Sequence, residues 1–480
     1  MSTDDAPDLT DSLIDRPWFF CGIGGSGMLP LALILKGKGA AIAGSDRSRD
    51  QGRTPEKFAW LESLGFLLHA QDGSGITTAA QILVASAAVE ETVPEMVRAA
   101  ELGCRRMRRA ELLSTLFNAA PVSIAVAGTS GKSTVTGMLG WILTACGRDP
   151  TIMNGAVMKN FAGPDAPFAS ARVGAAGGPF VSEVDESDGS IAAYRPSIAV
   201  LNNVSLDHKS MEELRALFGD FLARAGTAVV NLDDAESAAL LDRALGRALT
   251  FGIATDRADI GLTEGSITES PLGISAMIED RRSGAHHPLA LNVPGRHNLS
   301  NALAALAAAE AVGVPLGDAV RALGEYAGLA RRFDVVGTSP GGVTVIDDFG
   351  HNPEKVSATL ATLKAHPGRV IAFFQPHGYG PLRQMGAELA EVLATRLGAE
   401  DTAILCDPVY FGGTVDRSVG SERIVALIRA HGGTAEHIPV RADCAVHMAE
   451  IARPGDRIVI MGARDDTLST FARDLLARLP

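Results

Sequence analysis

The strongest chemical signal in the chain is the run Gly128-Thr129-Ser130-Gly131-Lys132-Ser133-Thr134. Glycines let backbone N–H groups converge on phosphate oxygens, a lysine neutralises β- and γ-phosphate charge, and a serine hydroxyl at a helix start reaches Mg²⁺. The run is shorter than the full Walker A pattern, because only Ala127 and an apolar stretch stand before Gly128. The apolar segment 122–127 and the amphipathic segment 134–146 nevertheless supply strand, loop and helix in the order a phosphate cradle requires. ATP with Mg²⁺ is the expected ligand.

A second glycine-rich turn, Gly22-Ile23-Gly24-Gly25-Ser26-Gly27, also stands between an apolar run and a helical pattern, with Asp46 after the next apolar run. Alone it resembles a dinucleotide fingerprint with its ribose-binding acid, and the plainer alternative is a turn that serves only close helix packing. A diphosphate is the expectation, and these residues leave open whether it belongs to NAD or to a UDP-sugar. The acidic run Ser182-Glu183-Val184-Asp185-Glu186-Ser187-Asp188 follows the apolar pair Phe180-Val181. Clustered carboxylates repel one another and are either solvated or bound to a hard cation. The stretch 198–203 leads to Asp207-His208, which brings further ligand types close behind. Later clusters are Pro294-Gly295-Arg296-His297-Asn298, Arg331-Arg332, Asp347-Asp348-Phe349-Gly350-His351-Asn352-Pro353 and the segment Gln375 to Arg383, which contains His377. Each singly reads as a cap or a turn, and their weight lies in the combination.

These clusters need a scaffold that ends strands beside one another. Short apolar runs alternate with Gly-rich turns and helical patterns throughout, which predicts an α/β class with mostly parallel sheets. A length of 480 residues calls for about three domains. The boundaries read as 1–118, a Rossmann-like N-terminal domain; 119–327, a central P-loop ATPase-type domain; and 328–480, a Rossmann-like C-terminal domain. Expected strands are 18–22, 40–43, 82–85, 122–127, 343–346, 370–374, 403–406 and 457–461. Expected helices are 28–35, 134–146 and the Ala-rich 298–311, with Asn298 or Ser300 as its N-cap and Gly313 as its stop. The acidic N-terminus lacks a secretory pattern, and apolar runs break well before the roughly 20 residues of a membrane span. A cytoplasmic protein with no membrane partner is expected. The five scattered cysteines read as reduced, mostly buried thiols. A formal charge of −13 repels nucleic acid, so phosphates must be held by local donors.

In combination, the residues from about 18 to the C-terminus resemble the Mur ligases, and within them the alanine-adding branch. The resemblance is carried by the order G-x-G-G-x-G-M, G-S-D, G-T-x-G-K-[ST]-T, E-x-D-E-S-D, N-x-x-x-D-H, P-G-x-H-N-x-x-N-A, R-R-F, D-D-x-G-H-x-P and Q-P-H-x-Y. It implies an ATP-dependent amide-bond ligase of peptidoglycan precursor synthesis. Such an enzyme joins UDP-N-acetylmuramate to an amino acid, L-alanine in this branch, through an acyl phosphate. By this resemblance Gly22, Gly24, Gly25, Ser26, Gly27 and Asp46 face the UDP-sugar. Gly128 to Thr134, Asn298, Asn301, Arg332 and Asp348 take ATP, and Ser133, Glu183 and His208 hold the metal. His351, His377 and Arg383 lie near the amino acid, and Lys132, Glu183, His208, Arg332 and His351 are implied to be catalytic.

The chain departs from that pattern in one place of consequence. The branch usually reads Q-P-H-R-Y-T-R-x-R, whereas Gly378 and Pro381 stand where two of the arginines belong. An arginine fork is the natural holder of a carboxylate, so a different acceptor, another amino acid or a recycled peptide, is an alternative, as is a non-catalytic regulator that binds both nucleotides. Asn352 replaces a common second histidine, and the loop after His208 is short, as in the ligase that attaches recycled tripeptide. The absence of a lysine at the carbamylated spacing after His208 agrees with the alanine-adding branch. Two rival readings are weaker. A nicotinamide oxidoreductase leaves GTSGKST unexplained, and a folylpolyglutamate- or cyanophycin-type ligase does not account for the N-terminal glycine turn.

Overall fold

The computed structural model describes residues 14–206, 209–409, 416–463 and 465–480. Its strands form three sheets, each mostly parallel. The first sheet runs Leu67–His69, Ile42–Ser45, Trp18–Cys21, Ile82–Ala85, Arg105–Arg108, with every pairing parallel. Trp18–Cys21 and Ile82–Ala85 are buried along their whole length, because helices cover both faces of such a sheet and leave no polar side to alternate with. Trp18–Cys21 lies at the point where strand order reverses, so the turn 22–27 emerges at the ligand-binding crevice of this fold.

In the second sheet Ser123–Ala127 lies between Phe180–Glu183 and Ile198–Leu201, parallel to both. The carboxyl ends of these three strands therefore deliver three sequence clusters to one edge: the loop from Gly128, the acidic run, and Asn202-Asn203. The helix Lys132–Ala145 follows the loop directly and starts two residues before the expected Thr134, because Gly131 at φ +86° turns the chain into it. Arg296–Ala311 packs against that helix, and its buried alanines let the two backbones approach closely. This helix corrects one expectation. Asn298 and Ser300 are not caps but lie inside the first turns, since Gly295 at φ +94° makes the turn and the helix begins at Arg296. Gly313, at φ +78°, stops it as expected.

The third sheet runs Asp334–Thr338, Thr344–Asp348, Arg457–Gly462, Val370–Gln375, Thr402–Leu405, Ala435–His437, antiparallel only in the first pair. The first two sheets fall in one compact unit, residues 1–268, 274–292 and 296–328. The third falls in another, residues 329–480 with 269–273 and 293–295. Within the first unit an aromatic cluster ties the two sheets: Phe117 of the helix Arg109–Asn118 lies 5.7 Å from Phe180 and 5.2 Å from Tyr194. Such pairs add about 0.5–1.5 kcal/mol each beyond the area they bury. Among the described residues no helix is long and apolar enough to cross a membrane.

Candidate active site

The glycine loop 128–131 is held from behind by amides. Asn203 Oδ1 accepts from the Ser130 N–H at 2.8 Å, while the Asn202 and Asn203 side-chain amides both donate to the Ser130 carbonyl at 3.0 Å. Asn202 also donates to Asn301 Oδ1 at 2.9 Å, and Asn301 reaches Asn298 at 3.4 Å. The two asparagines implied to contact adenine thus brace the loop. Only glycine fits at 131, where a Cβ would stand 2.5 Å from both Asn202 Nδ2 and Asn301 Oδ1, at a φ that L side chains rarely adopt.

The front of the loop is charged. Lys132 Nζ donates to the Gly128 carbonyl at 2.7 Å and to Glu186 Oε2 at 2.9 Å, and the Glu186 side chain is only 5% exposed. Ser133 Oγ donates to Glu183 Oε2 at 2.6 Å, and Asn154 holds the Ser133 carbonyl at 2.9 Å. Asp185 stays below the usual carboxylate range: burial opposes its charge, but N–H and O–H donors from Ser187 and the fields of Lys132 and Arg109 outweigh it. Glu183 and Glu186 of the acidic run are thus engaged by the loop, while Ser187 and Asp188 are exposed.

The first glycine turn behaves differently from a plain fingerprint. Asp46 spends its carboxylate on the fold, accepting from the Gly24 N–H at 2.8 Å and from the Ser48 N–H, also at 2.8 Å, which caps the short helix Arg47–Asp50. Gly25 N–H is likewise used, by the Gly22 carbonyl. Ser26 and Gly27 line a cavity of about 210 Å³ together with Arg109, Lys132, Ser133, Asn154, Glu183 and Tyr194. The crevice of the first sheet and the phosphate loop of the second thus open into one space. His208, implied to be a metal ligand and catalytic, lies outside the described residues.

The remaining residues stand in the second unit. Asp348 Oδ2 accepts from the Phe333 N–H and Oδ1 from the Gly350 N–H and the Thr359 hydroxyl, each at 2.8 Å. It thereby holds a strained turn in which Arg331 and Phe333 have φ of +61° and +48°. Both guanidiniums of that turn stack on the Phe349 ring, Arg331 at 4.9 Å and Arg332 at 4.6 Å. His351 and His377 meet edge to face with centroids 5.3 Å apart, beside a recess lined by Pro353, Phe374, Pro381 and Leu382. Arg383 pairs with Asp416 at 2.9 Å, with both side chains about half exposed.

Burial pushes the His351 imidazole down to about 4. Its Nδ1 lies 2.9 Å from the Phe349 carbonyl and must carry the proton there, so Nε2 keeps its lone pair at neutral pH. A histidine whose folded value is depressed takes up a proton in the unfolded chain first. Stability is then complete above about 6.5 and falls as pH drops towards 4. Urea midpoints at pH 7.5 and pH 5 should fall further for the native chain than for His351→Gln; equal losses would show that His351 does not titrate this way.

Sequence reasoning did not single out Arg109, Glu186, Asn154 or Gly155 as site residues. Arg109 is hidden among neighbouring arginines, and Glu186 among carboxylates. Gly155 carries no local signal, although a Cβ there would stand 2.2 Å from Glu183 Oε1.

Comparison with known proteins places these features in context. Residues 19–120 match the Mur ligase family catalytic domain, 126–309 the Mur ligase middle domain, and 331–464 the Mur ligase glutamate ligase domain. The chain is 35% identical over 475 residues to UDP-N-acetylmuramate–L-alanine ligase of Streptomyces avermitilis, covering 96% of this chain and 97% of that one. The corresponding protein of Agrobacterium fabrum is 34% identical over 462 residues, 93% of this chain and 94% of that one. Among solved structures, the UDP-N-acetylmuramate–alanine ligase of Thermotoga maritima aligns with a TM-score of 0.79 at 24% identity, over 96% of this chain and 99% of that one. A murein peptide ligase of Psychrobacter arcticus aligns with a TM-score of 0.72, also at 24%, over 96% and 98%. At these identities the two structures speak for the shared fold.

Proposed function

The chain belongs to the Mur ligase family, and on that premise we propose that it is an ATP- and Mg²⁺-dependent ligase of peptidoglycan precursor synthesis in the cytoplasm. It joins the lactyl carboxylate of UDP-N-acetylmuramate to the amine of an amino acid, L-alanine, through an acyl phosphate. The observation that carries this reading is the single cavity in which Ser26 and Gly27 face Lys132, Ser133 and Glu183. A carboxylate on a nucleotide sugar and the terminal phosphate of a nucleoside triphosphate can be presented there to one another. Residues 1–118 take the sugar nucleotide, 119–327 take ATP, and 328–480 bring the acceptor.

The residues fit the two groups. Ser133 Oγ and Glu183 Oε2, 2.6 Å apart, form a hard oxygen pair, and the resemblance adds His208 as a third ligand. Mg²⁺ takes one or two carboxylates and completes its shell with phosphate oxygens and water, a demand that Glu183 and Ser133 can meet. When bound, Mg²⁺ neutralises charge on the phosphoryl oxygens. Lys132 exchanges Glu186 for those oxygens, and the backbone N–H groups at the helix start supply further fixed positive charge. Arg332 and His351 stand in the second unit, Arg332 over the Phe349 ring, and the resemblance gives the first a phosphate-binding role and the second a role near the amino acid.

Purified protein should release phosphate from ATP only when both UDP-N-acetylmuramate and an amino acid are present. ATP turnover indifferent to the sugar nucleotide, or no ATP affinity with Mg²⁺, would sink the reading. A second reading, a different acceptor, draws on the acceptor region: Gly378 and Pro381 replace arginines, Leu382 is buried, and Arg383 is engaged by Asp416. A screen of amino acids and short peptides separates the two, and a unique preference for L-alanine rejects the second.

A further inference from the structure

One aromatic side chain of the second unit joins Arg332 to His351, although it fills the unspecified position of D-D-x-G-H-x-P. Phe349 follows directly on the strand Thr344–Asp348. Its ring carries the Arg331 and Arg332 guanidiniums, 4.9 Å and 4.6 Å from its centre, and meets the His351 imidazole at 5.3 Å with the planes 78° apart. His351 in turn meets His377 at 5.3 Å, so a line of ring contacts runs from Arg332 to the segment that follows Gln375. The face of an aromatic ring is negative and its edge positive, which suits both the guanidiniums and an edge-to-face imidazole.

The backbone of Phe349 is engaged on the same two sides. Its N–H donates to the Arg331 carbonyl at 2.8 Å, and its carbonyl lies 2.9 Å from His351 Nδ1. Two guanidiniums against one ring repel each other, but Arg331 is tied elsewhere: Nη2 donates to the Gly462 carbonyl at 2.6 Å and Nη1 to the Asp465 carbonyl at 3.2 Å. Arg331 thus belongs to the scaffold. Nor does the ring fill a core. One apolar cluster around Phe374 and Leu389 covers one face of the third sheet, and another around Phe373 and Leu475 covers the other. Among the described residues the half-buried Phe349 stands in neither.

We propose that Phe349 is the positioning residue of the second unit: its ring seats the Arg332 guanidinium and the His351 imidazole in one fixed relation, so that the cation directed at phosphate and the side chain beside the acceptor move as a single piece. The assignment rests on the ligase reading, which supplies the roles of Arg332 and His351, and adds a residue that acts only through them.

The test compares Phe349→Leu, which keeps an apolar side chain and loses the ring, with Phe349→Tyr, which keeps the ring. Phosphate release by the full chain is followed with UDP-N-acetylmuramate, ATP–Mg²⁺ and L-alanine. Phe349→Leu should lower kcat by roughly 10- to 100-fold, since a shift of about 1 Å in a positioned group costs up to that much, and should leave the KM for the sugar nucleotide unchanged. Phe349→Tyr should keep near-native rates. In an Arg332→Met background the leucine substitution should cost much less, because two changes acting on one contact are not additive. The urea midpoint of Phe349→Leu should stay close to the native one, because the ring lies outside both cores.

A second readout does not depend on turnover. Burial holds the His351 imidazole down at about 4, and the Arg332 field adds to that. Followed by proton NMR and identified with His351→Gln, it should titrate higher in Phe349→Leu, where water reaches it, and stay at its native value in Phe349→Tyr. Native rates in Phe349→Leu, an equal loss in Phe349→Tyr, or an undiminished loss in the Arg332→Met background would overturn the proposal. So would a urea midpoint that falls in step with the rate, which would make Phe349 a packing residue. Absence of phosphate release by the native chain would instead refute the ligase reading. The His351 titration then still decides on the ring, because an unmoved value in Phe349→Leu overturns its role as a seat.

Discussion

Lys132→Ala is expected to lower phosphate release by at least 10²- to 10³-fold, the range for removing one preorganised group that stabilises transition-state charge, while UDP-N-acetylmuramate affinity stays nearly intact. The ammonium already lies at the mouth of the loop, 2.7 Å from the Gly128 carbonyl and 2.9 Å from Glu186. In the proposed reaction its task is to follow negative charge onto the transferring phosphoryl group, which matters most at the transition state. A second consequence must be separated from this one. Glu186 is nearly buried, and removing its partner strands a carboxylate, which costs on the order of 3–5 kcal/mol in fully buried pairs and less here because Lys132 is partly exposed. The double variant Lys132→Ala/Glu186→Gln should regain most of the stability and none of the activity. Recovery of phosphate release in the double variant, or loss of sugar-nucleotide binding in the single one, would contradict the division of labour between the two glycine turns.

Gly155→Ala should produce the second large effect. Its added carbon would stand 2.2 Å from Glu183 Oε1, closer than real Cβ contacts come, so the carboxylate must leave its place beside Ser133. Phosphate release should drop by roughly 10²-fold, as when one preorganised polar group is lost, and the Mg²⁺ concentration for half-maximal rate should rise. A Glu183→Ala background supplies the control. With the carboxylate already gone, the glycine substitution should add little, because two changes acting on one contact are not additive. An equal further loss in that background would mean that Gly155 acts on something other than Glu183.

The two cases differ in what could be read before the fold was known. Lys132 stands inside a contiguous motif whose glycines, lysine and serine each have a local chemical reason, so its role needs no long-range information. The same holds for the alternation of apolar runs and turns that predicts three parallel-sheet segments. Buried strands such as Trp18–Cys21, Ile82–Ala85 and Val370–Gln375 carry apolar runs that end where the chain must turn. Helix starts were less legible. Both Lys132 and Arg296 begin helices about two residues earlier than the sequence pattern suggests, because in each case a preceding glycine with positive φ makes the turn.

Asp46, Asn301 and Asp348 each have a structural use that the motif did not state. Each stands at a position where the resemblance implies a ligand contact, and in the folded chain each braces backbone or neighbouring side chains that shape the site. A motif preserves a residue type without distinguishing contact from support, since both need the same hydrogen-bonding groups.

By itself, then, the amino-acid sequence determined the class of fold, the glycine loop that carries Lys132 and Ser133, the acidic run, and the kinship with the Mur ligases. These are properties of short contiguous segments, where spacing along the chain equals proximity in space. Only the tertiary structure decided that Ser26 and Gly27 open onto the same cavity as Lys132, that Glu186 rather than a solvated carboxylate holds the lysine, and that a side chain at Gly155 would push the Glu183 carboxylate aside. Each of those pairings joins residues 28 to 106 positions apart, and strand order, which no local pattern encodes, is what brings them together.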